Sequence, residues 1–410
     1  MNHRLREDAE TIVRGAIRAV CPDEAVRRAL EHVELSGRIY LVAVGKAAWQ
    51  MAAAAIKYLQ KPVYEGIVVT KYDHVMGQLP GISCFEAGHP IPDENSYRGT
   101  QAVLDMTKDL KAEDTVLFLL SGGGSALFEK PLVHTDLLQE ITRKMLGNGA
   151  DIVEINTLRK RLSAVKGGRF AMWCAPARVE SIILSDILGD PVDMIASGPA
   201  AEDPVTREQA KAVAAKYGVD MDEAVRECLD LETPKKLTNV HTQIIGSVRE
   251  LCAAAEREAA ALGYETVFLT DHLNCEARDA GRYLAQELLK RKESNRKIAV
   301  IAGGETVVHL TGTGLGGRNQ ELALAAAELL AGTANAALIS AGSDGTDGPT
   351  DAAGGYVDAD TLADLEKAGM DYNFMLRNND SYHALQAVGG LVITGPTGTN
   401  VNDVAVALLG

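Results

Sequence analysis

The amino-acid sequence predicts an α/β protein of two domains, each a mostly parallel sheet wrapped by helices. Three observations predict it. The chain has 410 residues, beyond the roughly 250–300 at which a single hydrophobic core stops growing. Hydrophobic residues make up 46% of it and aromatic ones only 5%, so aliphatic side chains must fill the core, as they do where helices cover a parallel sheet. Short apolar runs alternate with segments of helical period along the whole length, the pattern of α/β wrapping.

The N-terminal MNHRLREDAETIVRGAIRAV reads as an amphipathic charged helix. It is not a basic stub before an apolar core, and no apolar run approaches the ~18 residues that a membrane span needs. Strands are expected at RIYLVAVG (38–45), EGIVVT (65–70), TVLFLL (115–120) and VESIILSDI (179–187), with helix-like segments between. Two charged helical stretches, TREQAKAVAAKYG and MDEAVRECLDLE, then end in TPKK, a polar exit with a proline and no sheet signal. This places a domain boundary between residues 1–236 and 237–410. Beyond it strands are expected at HTQIIGSV (241–248), ETVFLT (265–270), KIAVIAGG (297–304), TVVHLTG (306–312), AALISAGSDG (336–345) and GLVITGP (390–396). RELCAAAEREAAAL and NQELALAAAELLAG, apolar at intervals of three and four, are the helices between them.

Charge narrows the partners. Lys and Arg number 41 against 56 Asp and Glu, a net charge of -15, which repels a phosphate backbone or an anionic membrane. Six scattered cysteines form no C-x-x-C pair, so they read as reduced thiols of a cytoplasmic protein. The nine histidines form no cluster in the sequence and read as packed or surface residues.

In open parallel sheets ligands sit beyond the carboxyl ends of strands, so the residues after each strand are the informative ones. After RIYLVAV comes Lys46, a cation at a helix start. That position disfavours positive charge, so Lys46 is either placed to meet an anion or is an ordinary surface lysine. After TVLFLL come Ser121, Gly122, Gly123, Gly124 and Ser125. Glycines let successive N–H groups turn toward one point, a nest for phosphate oxygens; a tight strand-to-helix turn is the plainer alternative. A G-x-S-x-G nucleophile elbow fits there until Leu127 replaces the last glycine. After VESIILS comes Asp186, placed to hold Mg²⁺ or accept a hydroxyl proton.

In the second half Gly304 and Glu305 end a strand, and Gly312, Gly314 and Gly317 spell G-x-G-x-x-G before a helix, the form of a dinucleotide fingerprint. No acid stands at the required distance; the nearest is Asp344, 27 positions on. Arg318 beside it suits an anion clamp, because a guanidinium can hold a carboxylate or phosphate by two parallel hydrogen bonds. Asp344 and Asp347 in SAGSDGTDGPTDAAGG are either turn residues or hard oxygen ligands for a divalent ion shared with nucleotide phosphates. No G-x-x-x-x-G-K-[ST] exists, which excludes a P-loop enzyme, and no H-E-x-x-H appears.

VGKAAWQMA, LLSGGGSAL, INTLRKRLSAVKGGR, LSDILGDPVDMIASGP, GLGGRNQELAL, SAGSDGTDGPTDAAGG and TGPTGTNVND occur in this order over essentially the whole chain. In these blocks the sequence resembles the two-domain glycerate 2-kinases, proteins once labelled hydroxypyruvate reductases. The resemblance implies two Rossmann-like α/β domains with mostly parallel sheets and an interdomain active-site cleft. It implies transfer of the γ-phosphoryl of ATP to the 2-hydroxyl of D-glycerate, with Mg²⁺, and carries catalytic emphasis onto Lys46 and Arg318. Ser121 to Ser125, with Gly304 and Glu305, are then expected at the nucleotide, and Asp344 and Asp347 at the metal. Asp186 and Asp344 are each open to the role of base or metal ligand, and a homodimer is left open. Two other readings compete: an NAD(P)-dependent hydroxypyruvate reductase, and a non-catalytic binder of sugar acids.

Overall fold

A computed structural model describes residues 2–294 and 296–410. Twelve strands form two six-stranded sheets. The first contains β1 (Ile39–Val44), β2 (Glu65–Lys71), β3 (Ile82–Ala87), β4 (Thr115–Leu120), β5 (Arg178–Leu184) and β6 (Val240–Gly246), in the order β3-β2-β1-β4-β5-β6. All its strands run parallel, and the order is that of a doubly wound sheet whose topological switch point lies between β1 and β4. β1 and β4 are buried at every position, as a strand covered by helices on both faces requires. Their register pairs Val44 with Leu120, so the loops that begin at Gly45 and Ser121 leave the sheet side by side.

The second sheet contains β7 (Glu265–Leu273), β8 (Ile298–Gly304), β9 (Ala336–Gly342), β10 (Gly354–Asp358), β11 (Leu391–Val392) and β12 (Asp403–Leu409), in the order β11-β10-β9-β12-β8-β7. Only β7 and β8 pair in parallel; β8–β12, β12–β9, β9–β10 and β10–β11 are antiparallel. This corrects the expectation of a mostly parallel sheet in the second half. A parallel neighbour needs a crossover long enough for a helix, and the glycine-rich segment from β9 to β10 turns the chain straight back. TVVHLTG, expected as a strand, is an exposed stretch with one isolated bridge from Val307 to Glu276.

The chain divides into two compact units, residues 26–185 with 190–245, and residues 1–25 with 186–189 and 246–410. A single cut at 236 does not describe this, for two reasons. HTQIIGSV contributes β6 to the first sheet. The N-terminal helix His3–Val20 belongs to the second unit, where Leu5, Ala9, Ile12, Val13, Ala16 and Ile17 pack against Leu251, Ala255, Ile301 and Val406. The apolar stripe of that helix is plain in the sequence, but a stripe does not say which core it faces.

Candidate active site

The two glycine-rich loops can now be compared by asking where their backbone N–H groups go. In the first, Gly122 accepts a hydrogen bond from the Lys46 amide at 2.8 Å, and Ser121 Oγ accepts from the Ala47 amide at 3.0 Å. The β1 and β4 loops are thereby tied together at the switch point. The amides of Gly122, Gly123, Gly124 and Ser125 donate to no group among the described residues. Gly123 has φ of 86°, which L side chains rarely adopt, and a Cβ there would meet His89 Cδ2 at 3.0 Å and Lys46 Cγ at 3.2 Å.

The second loop is arranged differently. The Gly312 amide and that of Thr311 donate to Asn379 Oδ1, Thr313 donates to Asn378 Oδ1, Gly314 to the Asn378 carbonyl and Leu315 to Asp380 Oδ1. A Cβ on Gly312 or Gly314 would lie 2.4 Å from Asn378 Cα or Asp380 Cβ. These glycines serve close packing against residues 378–380, not the approach of a pyrophosphate. The helix that follows, Arg318–Leu330, is capped from within the chain: Asp347 accepts from the Asn319 amide at 3.0 Å and the Gln320 amide at 2.9 Å.

That capping corrects the metal expectation for Asp347. Its carboxylate is buried and also accepts from the Asn319 and Gln320 side chains, so its lone pairs are committed to the helix end. Asp344 is half-exposed and accepts from the Thr346 amide at 2.9 Å. A Cβ on Gly342 would meet the Thr346 carbonyl oxygen at 2.9 Å, Asp344 Oδ1 at 3.2 Å and Asp403 Oδ1 at 3.4 Å, so the glycine serves close packing there.

Arg318 is also placed otherwise than expected. Its fork grips Asp403, Nε to Oδ2 at 2.6 Å and Nη2 to Oδ1 at 3.1 Å, while Nη1 donates to Glu305 at 3.1 Å. The two parallel hydrogen bonds foreseen for a substrate are made to the protein's own carboxylate, and Glu305 is a partner of Arg318. Burial pushes the Asp403 carboxyl up to about 6, although Arg318 pulls the other way. Asp403 and Glu305 hold the guanidinium charged. Gly304, with φ of 153°, packs against Leu273. Asp186 lies two residues past β5, half-buried, in the segment 186–189 of the second unit.

Residues that the sequence reading passed over complete the first loop. His74 follows β2 and donates from Nδ1 to the Lys46 carbonyl at 2.9 Å; His89 follows β3 and borders Gly123. Both stand just past strand ends, where ligands of such sheets are met. Burial, then the charges of Lys46 and Lys71 and the nearby His74, holds the His89 ring below its ordinary value of 6.5. Beneath the loop, Lys166 donates to the carbonyls of Ser125 at 2.9 Å and Phe128 at 2.8 Å. Ser197 stands 3.1 Å from Ser125 Oγ and donates to Asn156 at 2.8 Å. Ala196, Ser197 and Gly198 have φ of 51°, 61° and 64° in succession, backbone strain of the kind that gathers at ligand sites.

The carboxyl edge of this doubly wound sheet thus brings together unsatisfied amides, a lysine and two histidines, at the place where open α/β sheets bind their ligands. Residues 8–230 match the family described as a domain of unknown function, DUF4147, and residues 298–403 match the MOFRL family. The chain is 51% identical to D-glycerate 2-kinase of Thermotoga maritima, over 99% of this chain and 98% of that one. It is 40% identical to glycerate 2-kinase of Pyrococcus horikoshii, over 99% and 97%. A crystal structure of glycerate kinase from Thermotoga maritima superposes with a TM-score of 0.95 at 50% identity, covering 99% of this chain and all of that one. The chain belongs to the glycerate 2-kinase family, whose enzyme class is that of a kinase.

Proposed function

We propose that the protein transfers the γ-phosphoryl group of ATP to the 2-hydroxyl of D-glycerate, giving 2-phospho-D-glycerate and ADP. The observation that carries this reading is the row of four unbonded amides beside Lys46; in the second loop the amides from Thr311 to Leu315 are consumed internally. Phosphoryl transfer asks for positioning and charge neutralisation more than covalent chemistry. The nest and Lys46 hold phosphate oxygens, and the Lys46 ammonium offsets repulsion between the substrate carboxylate and the incoming phosphoryl group. His89, uncharged at neutral pH, accepts the hydroxyl proton as the oxygen bonds to the γ-phosphorus and the bond to the bridging oxygen breaks. Asp186 is the alternative acceptor. The G-x-G-x-x-G carries little weight for a nicotinamide cofactor, because Gly312 and Gly314 and their amides are spent on residues 378–380 and Gly317 packs against Asp347.

Mg²⁺ belongs to this reading. Among the described residues no three His, Cys, Asp or Glu side chains converge on one point, so the ion would depend on phosphate oxygens with one or two carboxylates. Of the two, half-exposed Asp344 is the carboxylate that could join that donor set, and Asp347, committed to the helix end, is not. When bound, the ion would neutralise phosphate charge. Incubation with ATP, Mg²⁺ and D-glycerate is expected to yield a product phosphorylated at the 2-position, and excess chelator is expected to abolish it. Nicotinamide oxidation with hydroxypyruvate, and no phosphorylated acid, would overturn the proposal.

The depressed His89 pKa makes a separate prediction about stability. Unfolded, the ring takes a proton near pH 6.5; folded, it does so at lower pH. Below pH 6.5 the folded state therefore binds fewer protons, and the contribution present above that pH is lost as the pH falls through the folded pKa. His89→Asn is expected to flatten this acid slope in thermal melts recorded across that window. Parallel slopes for the two proteins would show that His89 titrates as an ordinary histidine.

A further inference from the structure

A cavity of about 340 Å³ opens beside the SGGGS loop. Pro90, Ile91 and Leu138 wall it, and Ser125, Glu129 and Arg159 reach it. It lies past the carboxyl ends of β3 and β4, continuous with the last residue of the nest.

Two of its charged groups are incompletely satisfied. Arg159 makes no hydrogen bond and no ion pair among the described residues, yet it is substantially buried, and burial lowers its pKa. Glu129 is 1% exposed; its Oε2 lies 3.6 Å from Lys166 Nζ, and its Oε1 is buried with no partner. Buried polar groups of native proteins are normally hydrogen-bonded, and buried charges normally paired. Both residues line one largely apolar chamber, and a ligand that offers one acceptor and one donor would complete both.

We infer that this cavity takes the adenine base of the nucleotide whose phosphates lie in the SGGGS nest, an inference that rests on the kinase reading above. Pockets for drug-sized ligands begin near 300 Å³, so the space suits a purine nucleoside and far exceeds what a three-carbon acid fills. The apolar walls agree, because a base has two apolar faces and glycerate has none. Adenine presents an exocyclic amine, which would donate to Glu129 Oε1, and ring nitrogens that would accept from Arg159. A guanidinium also stacks well on a flat ring. Ser125 stands where the phosphate chain would pass from the nest toward the sugar. Guanine turns a carbonyl oxygen toward the same position, and two acceptors facing each other would exclude it.

The test measures KM for ATP, GTP and D-glycerate in the unsubstituted enzyme and in three variants. Glu129→Gln supplies a donor as well as an acceptor and is expected to narrow the preference for ATP over GTP by about 10-fold or more. Arg159→Met is expected to raise KM for ATP by about 10–100-fold with KM for D-glycerate unchanged. Leu146→Trp lies at the rim of the cavity, where Leu146 is 58% exposed; it should block entry without disturbing the core and raise KM for ATP in the same way. A rise in KM for D-glycerate alone would assign the cavity to the acid and overturn the inference. Unchanged nucleotide constants in the folded variants would also overturn it while leaving the kinase reading intact. Failure of the unsubstituted protein to bind ATP would overturn both.

Discussion

Lys46→Ala is expected to lower phosphoryl-transfer turnover by about 100–1,000-fold, the usual loss when one group aimed at transition-state charge is removed. The position is fixed by its backbone. Its amide donates to Gly122, its carbonyl accepts from His74 and lies 3.5 Å from Thr70 Oγ1, and it follows β1 at the switch point of the sheet. Among the described residues its ammonium pairs with no carboxylate within 4 Å, so the charge is available to a ligand. Truncation should leave the fold intact because it removes no internal partner. Lys46→Arg keeps the charge and should recover part of the rate. Stopped kinetics on folded variants decides it: wild-type turnover in Lys46→Ala would take the lysine out of the mechanism and leave the nest as a turn.

Arg318→Ala is expected to behave differently, with its largest effect on stability. Removing one partner of a buried ion pair costs about 3–5 kcal/mol because the other charge stays behind. Arg318 is 34% exposed against 9% for Asp403, so the lower end, about 3 kcal/mol, is the expected loss. Urea unfolding measures it. Asp403→Asn in the Arg318→Ala background removes the stranded charge and should regain stability. Turnover will fall as well if the free edge of the guanidinium touches substrate, but the stability term separates the two roles. If Arg318→Ala unfolds at the wild-type urea concentration and loses only turnover, the pair with Asp403 is slack, and the arginine serves the substrate as the sequence suggests.

The contrast between these two cations shows where a sequence is legible. TVLFLL coincides with β4 because a strand buried on both faces must be apolar throughout, and that demand is local. β3, ISCFEA, went unread because it is half-exposed along most of its length, so its letters carry no clear period. The SGGGS loop and Lys46 were visible for the same local reason as β4: consecutive glycines and a cation at a helix start are unusual wherever they occur. His74 and His89 were not, since 15 residues separate them in the chain and the parallel pairing of β2 with β3 brings their loops together.

By itself the sequence determined the α/β class, the buried strands β1, β2, β4 and β5 of the first sheet, and the existence of two glycine-rich loops with a lysine and an arginine beside them. Only the tertiary structure decided which partners each loop meets. Glycine in GLGGRN and glycine in SGGGS look alike as letters, because a bare Cα serves close packing and ligand approach equally well. The difference lies in the partners: residues 378–380 occupy the N–H groups from Thr311 to Leu315 and Asp347 those of Asn319 and Gln320, while nothing among the described residues occupies those of Gly122 to Ser125. Arg318 and Lys46 divide in the same way, one gripped by Asp403 from the far end of the chain and one with no carboxylate partner among the described residues. A hydrogen bond is completed by whichever group the fold brings within about 3 Å, and for these residues that group lies tens of positions away.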